Sequence, residues 1–221
     1  MTVILRRAAM ALVFVAVAAT ASAAPFLEPA GGTGLLLSTA VQAPAGTTQI
    51  LGNLTDGTGG QIPNTVDLYE VALSSLTTIT TPFSISLIPF PSLFLFNSLG
   101  VGVAWAPADL ETGQSTLPSI LPGTYFLGIS FFGIFPASNT PPSEQGDIFD
   151  PFSSGGGPVG PGGVSPLTGW YGDVGSQWDI SAYRINFVTS SFGEPIPEPA
   201  TVFSAAFALL GVWLAARRRR G

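Results

Sequence analysis

The chain has 221 residues, 46% of them hydrophobic and only 9% charged, with no Cys and no His, and its seven basic residues are all Arg. Residues 24–199 hold all 13 acids against one base, Arg184, so this body carries a formal charge of −12. These counts exclude a disulfide scaffold and remove the usual nitrogen and sulfur ligands of zinc and haem. They also argue against nucleic acid as a partner, because phosphate contacts need Lys and Arg in numbers.

Residues 1–23 have the layout of a secretory signal peptide. Arg6 and Arg7 form a positive start, Ala8 to Ala19 is a short apolar run, and Ala21-Ser22-Ala23 offers small residues at Ala21 and Ala23 for cleavage. The apolar run is short for a full membrane span. Cleavage after Ala23, export through the secretion translocon and folding outside the cytoplasm are therefore expected.

Residues 24–46 are set apart as an N-terminal extension, and the patterned body runs from 47 to 190. Glycine and proline punctuate it, and period-two segments lie between them. Tyr69, Val71 and Leu73 alternate with Leu68, Glu70 and Ala72; Phe83, Ile85 and Leu87 alternate with Ser84 and Ser86. Tyr125, Leu127, Ile129 and Phe131 make a longer stripe, and Tyr183, Ile185 and Phe187 alternate with Arg184 and Asn186. Period two over such lengths predicts strands with one buried face. Leu93-Phe94-Leu95-Phe96 does not alternate, which suits a central strand covered on both sides. About eight short strands in a body of this size predict an all-β, jelly-roll-like two-sheet sandwich. Residues 136–166 contain 7 Pro and 7 Gly in 31 positions. That composition predicts a long insertion without ordered packing, mobile around Gly155 to Gly163.

Residues 191–199 form a linker that ends in Pro197-Glu198-Pro199. Ala200–Ala216 is apolar, and Arg217, Arg218, Arg219 and Arg220 follow it. Seventeen helical residues rise about 25 Å, enough to cross a thin hydrocarbon core. The arginines would hold that end in the cytoplasm. Residues 200–221 thus predict a single transmembrane helix with an Arg cluster, attached to the membrane before processing.

Pro-Glu-Pro, helix and arginines, in that order, resemble the PEP-CTERM sorting signal of Gram-negative bacteria. The resemblance implies recognition by exosortase, removal of the tail near Pro197-Glu198-Pro199, and passage to the cell surface or exopolysaccharide matrix. Hydrophobic C-terminal signals of this kind are discarded, so the mature protein need not span; a permanent single-span anchor satisfies the same helix and charge physics.

A second resemblance covers roughly residues 47–190. Thr65–Val71, Phe94–Gly100, Leu121–Leu127, and Leu167–Trp170 with Tyr183–Phe187 are similar to successive blocks of the bacterial pre-peptidase C-terminal (PPC) domain, in its DVUA-type variants. This implies a small accessory β-sandwich, sometimes calcium-binding. The chain departs from that pattern at Ala106-Pro107-Ala108-Asp109, where one carboxylate stands in place of an acidic cluster. Asp109 with Glu111 is left as a candidate weak calcium site, and Asp147 with Asp150 as another, without the dense acidic run that calcium loops use.

Catalytic chemistry is poorly supplied. A serine nucleophile would have neither His nor Lys as base, thiol chemistry is absent, and a P-loop lacks its Lys. Gly155-x-Gly157-x-x-Gly160 matches a dinucleotide fingerprint only by letter, with Pro158 inside it. No catalytic residues and no cofactor are expected. Trp170, Tyr171 and Trp178 form an aromatic cluster that could contact a glycan, against the commoner fate of Trp, which is burial in the core. The sequence thus favours a non-catalytic surface or matrix protein with a structural or adhesive role. A carbohydrate-binding module on extracellular polysaccharide is the alternative.

Overall fold

The period-two segments become strands in the computed structural model, which describes residues 25–30, 32–54, 65–82, 91–107, 109, 111–131, 133–172 and 181–190. Among these residues the strands are β1 (Phe26–Leu27), β2 (Val41–Gln42), β3 (Gln49–Leu54), β4 (Val66–Leu73), β5 (Thr77–Thr81) and β6 (Ser92–Asn97). They continue with β7 (Gly102–Ala106), β8 (Ser115–Ile120), β9 (Gly123–Ser130), β10 (Ile134–Ala137), β11 (Gly169–Gly172) and β12 (Ser181–Thr189). The first sheet has the order β1-β3-β12-β5-β8 and the second β2-β4-β9-β6-β7, while β10 and β11 form a separate antiparallel ribbon. The two-residue strands β1 and β2 join their sheets in parallel. The expected all-β two-sheet sandwich is what forms.

Register explains the burial. Residues opposite one another across a sheet share a face. In the second sheet, Leu95, Leu127 and Tyr69 lie on one face with Leu93, Ile129 and Asp67. That face meets the first sheet, where Tyr183, Ile185, Ile50, Ile79 and Leu117 are buried. Phe94, Gly128 and Leu68 lie on the opposite face with Phe96 and Phe126. This face is covered too, by the β10–β11 ribbon and the chain between its strands: Phe94 sits 5.5 Å from Trp170 and 5.7 Å from Phe149. A sheet with both faces covered has no polar side to display, so Leu93 to Phe96 are all fully buried and none alternates.

Two expectations change. Residues 24–46 are not an appendage, because β1 and β2 supply an edge strand to each sheet, so the sandwich begins at Phe26. The Pro/Gly insertion is not unpacked either. Ile148 and Phe149 are fully buried, and the backbone of this stretch is tied to its surroundings through Ile148 N–H to Pro136 O (3.2 Å), Gly160 N–H to Ile148 O (3.2 Å) and Leu167 N–H to Gly100 O (2.9 Å). Glycine serves here for close backbone approach: a Cβ at Gly160 would fall 2.8 Å from the carbonyl carbon of Asp147 and 3.0 Å from that of Ile148. The stretch contains no helix after Gly155–Gly160, so the dinucleotide fingerprint lacks its structural context.

The sheet margins are interrupted. β8 carries Pro118, which has no N–H to offer, and β7 is capped where Trp105 and Gly156 exchange both backbone bonds (2.8 and 3.0 Å). The expected strand around Phe83, Ile85 and Leu87 lies outside the described residues. So do the signal peptide and the C-terminal helix; among the described residues, no helix is long and apolar enough to cross a membrane.

Candidate functional site

Among the described residues, buried titratable side chains gather around Asp67, which no sequence motif marks. Asp67, near the start of β4, is 2% exposed, and it points between the sheets beside Tyr69 and Tyr183. Thr33 donates its hydroxyl to Asp67 Oδ1 at 2.7 Å, and Tyr183 donates to Oδ2 at 2.7 Å. The Tyr183 proton is spent on Asp67, so Tyr69 donates to the Tyr183 oxygen. Leu68 N–H closes the group by donating to Thr33 Oγ1 at 2.8 Å. Glu28, just after β1, accepts the Asn53 N–H at 2.7 Å. Space for this meeting comes from Gly52 on β3, where a Cβ would fall 2.6 Å from Glu28 Oε2 and closer still to the Tyr183 hydroxyl.

Burial dominates the electrostatics. It pushes the Asp67 carboxyl above the usual carboxylate range, although the Tyr183 and Thr33 hydroxyls pull it back. Burial also raises Glu28, helped by the Asp67 charge and opposed by the Asn53 N–H. Both phenols are driven far up, first by burial and then by the Asp67 charge, so they stay protonated donors. The signal that could have marked this cluster is Asp67 on the same period-two face as Tyr69 and Val71; its partners lie 34 and 116 residues away and were not legible.

Two members of the aromatic cluster expected from sequence, Trp170 and Tyr171, are engaged within the protein. Trp170 on β11 is 4% exposed, with Phe94 at 5.5 Å and Phe96 at 6.2 Å against it nearly edge-to-face. Its Nε1–H donates to Leu35 O at 2.8 Å, which staples the segment before β2 to the ribbon. Both faces of the indole are therefore engaged with protein. Gly128 on β9 leaves room for the ring: a Cβ there would fall 2.9 Å from it. Beside it lies a shallow apolar groove of about 400 Å³ formed by Leu35, Leu36, Thr39, Pro142, Gly169 and Trp170. Tyr171, half-buried, donates its hydroxyl to Asp147. Trp178 lies outside the described residues. Trp105, stacked on Phe94 at 5.8 Å, has the one buried side-chain polar atom, Nε1, without a hydrogen-bond partner among the described residues.

The acidic candidates serve turns. Asp109 Oδ1 accepts the N–H groups of Glu111 (2.7 Å) and Thr112 (3.2 Å), and those bonds hold its carboxyl below the usual range. Glu111 is exposed and brings no second oxygen to that bond pattern. Asp150 Oδ1 likewise accepts Phe152 N–H at 3.0 Å. Asp147 is raised by burial, against the pull of the Tyr171 hydroxyl. No three acids, cysteines or histidines converge as a metal-binding group among the described residues. Neither sequence pair, Asp109 with Glu111 or Asp147 with Asp150, is gathered into one cage.

The cleavage residues Ala21 and Ala23, the motif Pro197-Glu198-Pro199 and Arg217 to Arg220 lie outside the described residues, and sequence comparison speaks to the last two groups. Residues 195–220 are a PEP-CTERM protein-sorting motif. The motif implies export to the cell envelope or surface and processing by exosortase. It covers the tail alone and says nothing of the sandwich. No curated protein matches the chain. Among solved structures, the chain is similar to PliG of Salmonella Typhimurium, a periplasmic lysozyme inhibitor of g-type lysozyme, at 13% identity, covering 69% of this chain and 100% of that one, with a TM-score of 0.27. A score that low carries nothing from that protein to this one.

Proposed function

We propose that this chain is a non-catalytic component of the cell surface or exopolysaccharide matrix, with a structural or adhesive role after its tail is removed. The sorting motif at residues 195–220 carries this reading. Residues 1–23 act as the signal peptide, 200–216 as a transient membrane helix, and the body as an accessory sandwich of the PPC-like kind that its sequence blocks resemble. Its polar interior supports a structural role, since the buried acids and phenols bond one another rather than opening onto a cleft. A carbohydrate-binding role through Trp170 and Tyr171 is the weaker reading, because the Trp170 indole and the Tyr171 hydroxyl are both engaged within the protein. A body of charge −12 would also approach an acidic polysaccharide only through bridging divalent cations.

Intact mass and cell fractionation, with and without exosortase, test this. The expected mature form begins at Ala24, ends near Pro199 and is found outside the cell; without exosortase it keeps its tail and stays in the membrane. A full-length membrane form in both strains would refute it and leave a permanent anchor.

A further inference from the structure

The last strand fixes which end of the sandwich lies nearest the tail. β12 ends at Thr189, and Ser190 N–H donates to Leu76 O at 2.9 Å, so the chain leaves the body beside the β4–β5 turn. Register gathers three further turns at that end. Asn186 lies opposite Gln49, which brings in the turn before β3, and Phe187 N–H donates to Thr48 O at 2.9 Å. Thr77 lies opposite both Thr189 and Ile120, and Leu73 lies opposite Gly123, which add the β8–β9 turn. Tyr125 lies opposite Asn97 and donates its hydroxyl to Leu121 O at 3.1 Å, so the β6–β7 turn joins them.

This end differs from the rest of the body in charge and in exposed apolar surface. Residues 43–48, 74–76, 97–101 and 121–123 include no charged side chain. Leu99 and Leu121, on two of the turns, are 73% and 68% exposed, and Val188 beside the exit is 55% exposed. One exposed leucine is ordinary. Three apolar side chains around the point of departure make a patch of the kind that meets a partner or a membrane. Acids stand elsewhere. Asp109 and Glu111 occupy the β7–β8 loop at the opposite end, where Glu28 meets Asn53 and Asp67 begins β4. Glu70 is midway along β4, and Glu144, Asp147 and Asp150 belong to the layer over the second sheet. Phe152 is exposed as well, with Asp150 two positions before it.

Nine residues, 191–199, separate this exit from the apolar run that starts at Ala200. Fully extended they reach about 30 Å, and the eight-residue β4 is about 26 Å long. The tether alone therefore lets either end of the body touch the bilayer, and surface chemistry has to choose. Anionic lipid repels the acidic end. We propose that, while the tail is in place, the body stands on the lipid surface on its uncharged end, through Leu99, Leu121 and Val188, with its acids turned away. This rests on the reading of residues 200–216 as a transient membrane helix. The contact orients the precursor without retaining the product: these side chains hold fewer aliphatic carbons than one myristoyl chain, which by itself binds only reversibly.

Because the chain has no Cys, a single introduced one can carry a fluorophore. The full chain is placed in vesicles of phosphatidylethanolamine and phosphatidylglycerol, some of the lipid bearing a nitroxide on its headgroup. Labels on Ser75→Cys and Ser98→Cys, at the exit end, are expected to lose most of their emission, and a label on Thr112→Cys, in the β7–β8 loop, to keep its own. Adding Leu99→Glu and Leu121→Glu, both at exposed positions, should restore emission at position 98. Equal quenching at 98 and 112, or quenching at 98 that survives the two glutamates, would overturn the proposal. Contrast that appears only when exosortase is added to the vesicles would assign this end to that enzyme and equally overturn the lipid contact. Flotation of the vesicles reads the anchor separately: a chain that does not float with them refutes the membrane helix and the proposal together, whereas one that floats without contrast refutes the orientation alone.

Discussion

Trp170→Ala separates a structural tryptophan from a sugar-contacting one. The indole is 4% exposed, lies against Phe94 and Phe96, fills the space over Gly128 and gives its N–H to Leu35 O. Truncating a buried Trp costs about 3–5 kcal/mol through lost transfer energy and the cavity left behind. The upper part of that range applies, because two rings lose an edge-to-face partner and Gly128 has no side chain to move into the gap. At about 2–4 °C per kcal/mol for a chain of this size, Tm should drop by about 8–20 °C. Trp170→Phe keeps most of the apolar burial but strands Leu35 O and should fall clearly short of that loss, the missing hydrogen bond contributing about 0.5–1.5 kcal/mol. Urea unfolding of the mature protein measures both, with constant m-values as the check that the denatured state is unchanged. A Trp170→Ala protein within about 1 kcal/mol of wild type, a small effect by the usual range for single mutations, would refute the reasoning. Loss of polysaccharide binding in the same variant would return the residue to the glycan reading.

The other side of that contact is testable by filling it. Gly128→Val should destabilise by about 1–3 kcal/mol, because its side chain enters the Trp170 ring, and Trp170→Ala should relieve part of that loss in a double-mutant cycle. Tyr183→Phe removes a donor from a buried carboxylate and should cost about 1–3 kcal/mol near neutral pH, with a smaller loss at low pH where Asp67 is protonated. The wild-type Tm-pH profile should carry the signature of Glu28, Asp67 and Asp147, all raised by burial: each contributes a loss of stability as pH rises from the ordinary carboxylate range through its raised value. Asp109, held low, contributes the opposite slope at lower pH, its stabilisation disappearing as pH falls through its own value. A Tm that climbs steadily between about pH 4 and 7 would contradict the burial argument, since it would mean the unfolded chain holds more protons there.

What the sequence made legible was whatever repeats locally. Tyr183, Ile185 and Phe187 alternate with Arg184 and Asn186 because β12 has one wet face, and the unbroken Leu93–Phe96 run marks a strand with none. The sorting tail was legible for another reason, because its order of Pro-Glu-Pro, apolar run and arginines is linear information. The failures are all long-range. Asp67 was not marked because Thr33 and Tyr183 come to it only through the fold. The 136–166 stretch looked empty because composition counts side chains, whereas its packing is done by Ile148, Phe149 and bare glycine backbone. Trp170 could be placed only once Gly128 was known to sit beneath it.

Pro118 on β8 and the Gly156 bridge on β7 have a consequence for life in a crowd. A bare outer strand is a template on which another copy can crystallise, hydrogen bond by hydrogen bond, into a fibre. With β1 and β2 trimming the other two margins to a pair of residues each, copies concentrated on one surface have little backbone through which to polymerise. Whatever network they join has to be written in side chains or in the termini, so it can be tuned, or dissolved, one substitution at a time.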